Sequence, residues 1–281
     1  MLGKHIGAGS LSSKNDAGPL RLQTASPKRI KIEADVNSRG VPLAGAWRPN
    51  MNIAIYDLDK TLTLRPTFTR FLLYYARRTA PFRLALLPIW IMAMVGYKLR
   101  LYGRKLLKQF GVRMFMGREV CPASMGEITA SFANNVFNHD LQPGAVARLH
   151  ADRARGASLV LATAAPEFYA QLIGDFAGFH AVIATRHILT PSGALTHRID
   201  GENCYAGEKL RRVEEWLSHQ AIDRKDAHIV FYSDDISDSP TLDFADEGYA
   251  VNPSKKFAEA AAKSNWGVLD FRHAEGVPHT P

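Results

Sequence analysis

The chain is poor in cysteine, in long apolar runs and, over one stretch, in acid. Two cysteines among 281 residues, Cys121 and Cys204, allow no disulfide framework, and neither has metal-ligand spacing around it, so a reducing compartment and ordinary thiols are expected. No run reaches the roughly 20 apolar residues that a membrane-spanning helix needs. The N-terminal "MLGKHIGAGSLSSKND" lacks the apolar segment of a secretory signal, which points to the cytoplasm. From Lys60 to Arg118 there is no Asp or Glu at all, while thirteen Lys or Arg occur. The net charge of +8 is therefore local to that segment, and the remainder of the chain is net negative.

With 46% hydrophobic and 22% charged residues the chain is globular and long enough for a proper core. Residues 1–50, rich in Gly, Ser, Lys and Pro and without periodicity, read as a disordered tail. The run Met51 to Tyr56 reads as a buried strand, and Asp57 and Asp59 follow at its end in "IAIYDLDKTLT". Alternation points both carboxylates the same way, and like charges so placed call for a cation or a shared proton. From Pro66 to Phe137 apolar residues recur at helical spacing, as in "FTRFLLYYARR". Strand signals return in "ASLVLATAAP", in "HAVIATRHILTPSGALTHRIDG" with a hairpin through "PSG", in "AHIVFYSDD", in "EGYAVNP" and in "WGVLDF", with helical stretches between them. Such alternation predicts an α/β fold, a Rossmann-like parallel sheet with helices on both faces and an all-helical cap inserted into it. The expected boundaries are 51–65 and 152–275 for the core and 66–151 for the cap.

Ligands of such sheets bind beyond the carboxyl ends of the strands. There the sequence places Asp57 and Asp59, Thr163 in "LATAAP", Lys209 in "GEKLRR", and Asp234, Asp235 and Asp238 in "YSDDISDSPTL". Each alone has an ordinary reading as a cap or a solvated side chain. Together they resemble the four motifs of the haloacid dehalogenase superfamily, and the helical insert resembles the cap of its phosphoserine-phosphatase-like branch, subfamily IB. A response-regulator receiver also uses aspartates, Thr and Lys, but it is far shorter and carries its acceptor on a middle strand.

The resemblance implies a phosphatase working through an aspartyl phosphate. Asp57 would be the nucleophile and Asp59 the general acid and base. Mg2+ would be held by Asp57, the backbone carbonyl of Asp59 and Asp234. Thr163 and Lys209 would bind the phosphoryl oxygens, and Asp238 and Asp235 would support the site from behind, with Thr61 bracing the loop. In the cap, Arg65, Arg70 and Trp90 are the candidate substrate contacts. The early cap, "LRPTFTRF", lacks the carboxylate that would pair with the ammonium of phosphoserine. "LALLPIWIMAMVGY", flanked by Arg83 and Lys98, makes the cap resemble that of the phosphatidylglycerophosphatase C group. The resulting expectation is a phosphorylated, lipid substrate and contact with an anionic membrane at its inner face, with a soluble phosphomonoester as the alternative. A phosphotransferase or a non-enzymatic binder of anionic surfaces are further readings. No nucleic-acid partner is expected, since no recognition motif is present.

Overall fold

The computed structural model describes residues 51–274; the tail expected over residues 1–50 lies outside them. A six-stranded, all-parallel sheet has the order β4-β3-β1-β7-β8-β9. Its strands are β1 (Met51–Tyr56), β3 (Ser158–Pro166), β4 (Ala181–Thr185), β7 (Ala227–Ser233), β8 (Glu247–Val251) and β9 (Gly267–Leu269). The first strand is central: Tyr56 lies beside Leu161 on one side and Tyr232 on the other. Residues alternate between two cores, Ile53 and Ile55 facing one and Ala54 and Tyr56 the other, which is why the strand is apolar throughout.

Amphipathic helices cover both faces. On one side α7 (Gly207–His219), α8 (Ser239–Phe244) and α9 (Lys255–Ser264) bury Val213, Leu217, Leu242 and Phe257. On the other lie α4 (Pro122–His139), α5 (Pro143–Ala154) and α6 (Glu167–Ala177), with Phe132, Leu149 and Tyr169. Helix α5, grouped with the cap by sequence, seats on the sheet: Arg148 donates to the Tyr232 hydroxyl at 2.7 Å, and the Tyr56 and Tyr232 hydroxyls donate to Asp152. Its Gly144 lies so close to the last segment that a Cβ would sit 2.6 Å from the Phe271 Cα, so no larger residue fits there.

The insert comprises α1 (Phe68–Thr79), a 3-10 turn (Pro81–Leu86), α2 (Leu87–Lys98) and α3 (Arg104–Phe115). It is not helical throughout. Strand β2 (Glu119–Val120) pairs antiparallel with β6 (Leu195–Ile199), which pairs with β5 (His187–Leu189) through the hairpin expected at "PSG". Two residues are too few to show an alternation, so β2 had no legible signal. Inside the insert, Trp90 is 1% exposed and packs edge-on against Phe115. A Cβ on Gly111 would meet the Trp90 ring at 2.9 Å, so glycine permits the close approach of α2 and α3.

Candidate active site

The central strand β1 delivers Asp57 at its carboxyl end, where its backbone N–H donates to the Tyr232 carbonyl at 2.9 Å. The chain then makes one wide turn over Leu58–Leu62, with Lys60 at φ 62°, in the left-handed region. Thr63 closes this turn, its N–H and hydroxyl both donating to the Leu58 carbonyl. Gln142 clamps it from outside, its amide donating to the carbonyls of Lys60 and Thr61. The Thr61 hydroxyl, expected to brace this loop, is buried and finds no partner among the described residues, and Thr63 and Gln142 do that work instead.

Lys209 reaches in from the first turn of α7 and is almost wholly buried. Its ammonium donates to Asp57 Oδ1 at 2.8 Å and to Asp238 Oδ2 at 2.6 Å. Burial pulls its pKa down, but Asp238 and Asp57 outweigh that and hold it above the ordinary lysine value. The Ser233 hydroxyl, at the end of β7, donates to the same Asp238 oxygen at 2.7 Å. Asp57 stays raised, to about 6, because burial and the charges of Asp238 and Asp59 exceed the help from Lys209. Asp234 is pushed up to about 8, by burial first and then by Asp57 and Asp235. Asp235 turns aside: its carboxylate caps the short 3-10 turn Ile236–Asp238 by accepting from the Ser237 N–H at 2.9 Å.

Asp59 is held differently. One of its oxygens, Oδ1, accepts both the N–H and the hydroxyl of Thr67, each at 2.7 Å, and the Thr67 hydroxyl also meets Tyr169. Thr163 is buried at the end of the straight part of β3, its hydroxyl accepting from the Ala165 N–H at 3.0 Å. Asp57, Asp59, Thr163, Lys209, Asp234, Asp235 and Asp238 all line one cleft of about 190 Å³.

The donor set suits a hard divalent cation. Among the described residues no three His, Cys, Asp or Glu side chains form a ready cluster. Asp57, buried and raised by its desolvation and by Asp238 and Asp59, and half-buried Asp234, raised by its desolvation and by Asp57, are nonetheless a pair of carboxylates that a cation relieves, with the Asp59 carbonyl as a neutral oxygen donor.

The cap residues fall out otherwise than expected. Arg65 and Arg70 do not line the cleft; both pair with the buried carboxylate of Asp140, Arg65 through Nε at 2.9 Å and Nη2 at 2.7 Å. Asp140 is the first acid available to them after α4, so their charge is spent on fastening the entry and exit of the insert. Trp90 is interior, as described above. The insert instead contributes Pro66 and Arg104 to the cleft, and the core adds Tyr205, whose ring lies 3.6 Å beneath the Arg104 guanidinium. Arg104 was one of thirteen equivalent cations in the sequence, and nothing local marked it out. Thr67 was equally silent, because its partner Asp59 is found only when the turn is folded.

A family model of haloacid dehalogenase-like hydrolases matches residues 54–243, and the chain belongs to that family. It is therefore a hydrolase built on the parallel sheet described above. Among curated relatives, the protein CicA of Caulobacter vibrioides (strain NA1000 / CB15N) is 29% identical over 212 residues, covering 75% of this chain and 90% of CicA. Among solved structures, a protein of unknown function from Bordetella pertussis Tohama I superimposes with a TM-score of 0.71 at 25% identity, over 79% of this chain and 99% of that one. A phosphoserine phosphatase captured as a phospho-aspartyl intermediate analogue shares the fold, with a TM-score of 0.54 at 14% identity over 80% of this chain and 95% of its own.

Proposed function

We propose that the protein is a Mg2+-dependent phosphomonoesterase acting through an aspartyl phosphate on Asp57. The observation that carries this reading is the buried Lys209 ammonium bridging Asp57 and Asp238 in a strand-end cleft that also holds Asp59, Thr163 and Asp234. A buried cation beside a buried carboxylate fixes that carboxylate's position and offsets the charge of an arriving phosphoryl group. The Asp57 carboxylate attacks phosphorus, and the bond to the leaving oxygen breaks. Asp59, oriented by Thr67 through one oxygen, gives its proton to the leaving alkoxide from the other and later takes one from the attacking water. Thr163 and Lys209 hold the transferring oxygens. Asp57, Asp234 and the Asp59 carbonyl would hold Mg2+, which would supply further neutralisation of phosphoryl charge.

The cleft also bears on the substrate. Its lining from the insert is Pro66 and Arg104, with no carboxylate to meet an ammonium group. That composition supports a phosphomonoester carrying a second anionic or neutral polar group, such as a lipid phosphate headgroup, over phosphoserine. A volume of about 190 Å³ suits the headgroup and leaves acyl chains outside.

The test is phosphate release from phosphatidylglycerophosphate in mixed micelles and from phosphoserine, by wild type and Asp57→Asn. Wild type is expected to turn over the lipid phosphate faster, to lose activity in EDTA and to regain it with Mg2+. Asp57→Asn is expected to be folded and inactive, since an amide cannot form the acyl phosphate. Appreciable turnover by that variant overturns the mechanism, and faster turnover of phosphoserine overturns the substrate assignment.

A further inference from the structure

Helix α2 is apolar on every side, "LPIWIMAMVGYK", and a helix of that kind is ordinarily enclosed. Here only Trp90 and Gly96 are fully buried. Phe82 (75% exposed), Met92 (67%), Leu99 (67%) and Leu101 (72%) lead a set that also includes Ile89 and Val95. Single exposed apolar side chains are ordinary, but this many along one helix and its two flanking turns make a continuous surface. The turn after α2 pushes that surface outward, with Arg100 at φ 60° between Leu99 and Leu101. On α2, its flanking turns and the end of α1 stand Arg77, Arg78, Arg83, Lys98 and Arg100, and among the described residues none of these has a carboxylate in salt-bridge range.

We propose that this face docks on an anionic lipid bilayer, with α2 lying in the plane of the interface. Three observations select that occupant. Twelve residues of helix extend about 18 Å, well short of the roughly 30 Å hydrocarbon core, and among the described residues no helix is long and apolar enough to cross it. A second copy of the chain would bring the same unpaired cations against these, which opposes self-association through this face. An apolar strip rimmed by Lys and Arg is complementary to acyl chains beneath anionic headgroups. Leu101 also lies only three residues before the lining residue Arg104, so docking would bring that side of the cleft near the headgroups.

The experiment is co-sedimentation of the full chain with vesicles of phosphatidylcholine alone and of phosphatidylcholine mixed equally with phosphatidylglycerol, over a salt series. Wild type is expected to prefer the anionic vesicles and to weaken, without release, as the screening length falls from about 10 Å at 0.1 M salt to about 3 Å at 1 M. Met92→Asp with Leu101→Asp is expected to lower binding about tenfold or more at every salt concentration, because the unscreened apolar contact is lost. Lys98→Gln with Arg100→Gln is expected to weaken binding at low salt only. All four side chains are exposed, so circular dichroism and turnover of a soluble phosphomonoester should be unchanged, separating failure of docking from failure of the site. Equal binding to both vesicle types, or wild-type binding by the Asp double variant, overturns the proposal. So does a dimer that this variant abolishes in a chain that ignores vesicles, which would assign the face to a second copy.

Discussion

The sheet ends and the outer cap both concentrate charge of one sign, and they handle it in opposite ways. At the sheet, Asp57 and Asp238 converge on one buried lysine, and burial together with the charges of neighbouring carboxylates raises the pKa values of Asp57 and Asp234. In the cap, Arg65 and Arg70 share the single carboxylate of Asp140, while Arg77, Lys98 and Arg100 stay on the surface, the last two beside uncovered apolar side chains. Buried like charges are costly and persist where a cation or a phosphoryl group completes them; exposed ones cost little and await a large, weakly structured counter-surface. The first arrangement suits chemistry and the second suits adhesion.

Substitutions can break this contrast at points of graded size. Beyond the nucleophile itself, the largest effect should come at Asp59, one oxygen of which is held by Thr67. Asp59→Asn keeps the backbone carbonyl but removes proton transfer, and the rate of phosphate release should fall roughly 10²- to 10⁴-fold. Steady-state kinetics with a titration of Mg2+ checks this, and a change confined to the Mg2+ requirement would remove the acid–base role.

Inside the cap the decisive residue is Trp90, which divides its buried seat from the exposed strip. Trp90→Ala should cost about 3–5 kcal/mol of stability by opening a cavity against Phe68 and Phe115. Denaturant unfolding measures it. A cost below about 1 kcal/mol would mean that the ring is not enclosed.

Measured per pH unit, the smallest effect is expected at Lys108 of α3, a cap ammonium that reaches the strand ends. It donates to the Ala164 carbonyl and, at 2.7 Å, to Asn203. Burial, followed by Arg104, lowers its pKa to about 7, while an unfolded lysine titrates near 10.4. Between those values the unfolded chain holds the extra proton, so this group's contribution to stability rises with pH across that window and is least favourable below pH 7. Relative to Lys108→Met, wild type should gain up to about 1.4 kcal/mol per pH unit from pH 7 toward pH 10. Parallel stability curves for the two proteins would show that the lysine keeps its ordinary pKa.

Much of the core was legible because it rests on local pattern. A strand buried on both faces must be apolar throughout, its end is where polar side chains can emerge, and "DLDKTLT", "LATAAP", "GEKLRR" and "YSDDISDSPTL" each announce such an end. The family match and the parallel sheet agree with that reading. The cap was legible only in composition. Its absence of acid is written in the sequence, but which cations face Asp140, which one meets the cleft and which are left over depends on the crossing of α1, α2 and α3.

What the sequence by itself determined is therefore the order of the parallel core strands, the strand-end carboxylates and the charge imbalance of the insert, all properties of near neighbours along the chain. Tertiary structure alone decided that Thr67 holds Asp59, that Arg104 and not Arg65 or Arg70 lines the cleft, and that Trp90 is interior while Met92 and Leu101 are outside. The reason is physical: a helix that is apolar on every side carries no periodicity to say which side is buried, and an unpaired cation carries no mark of the carboxylate it will meet.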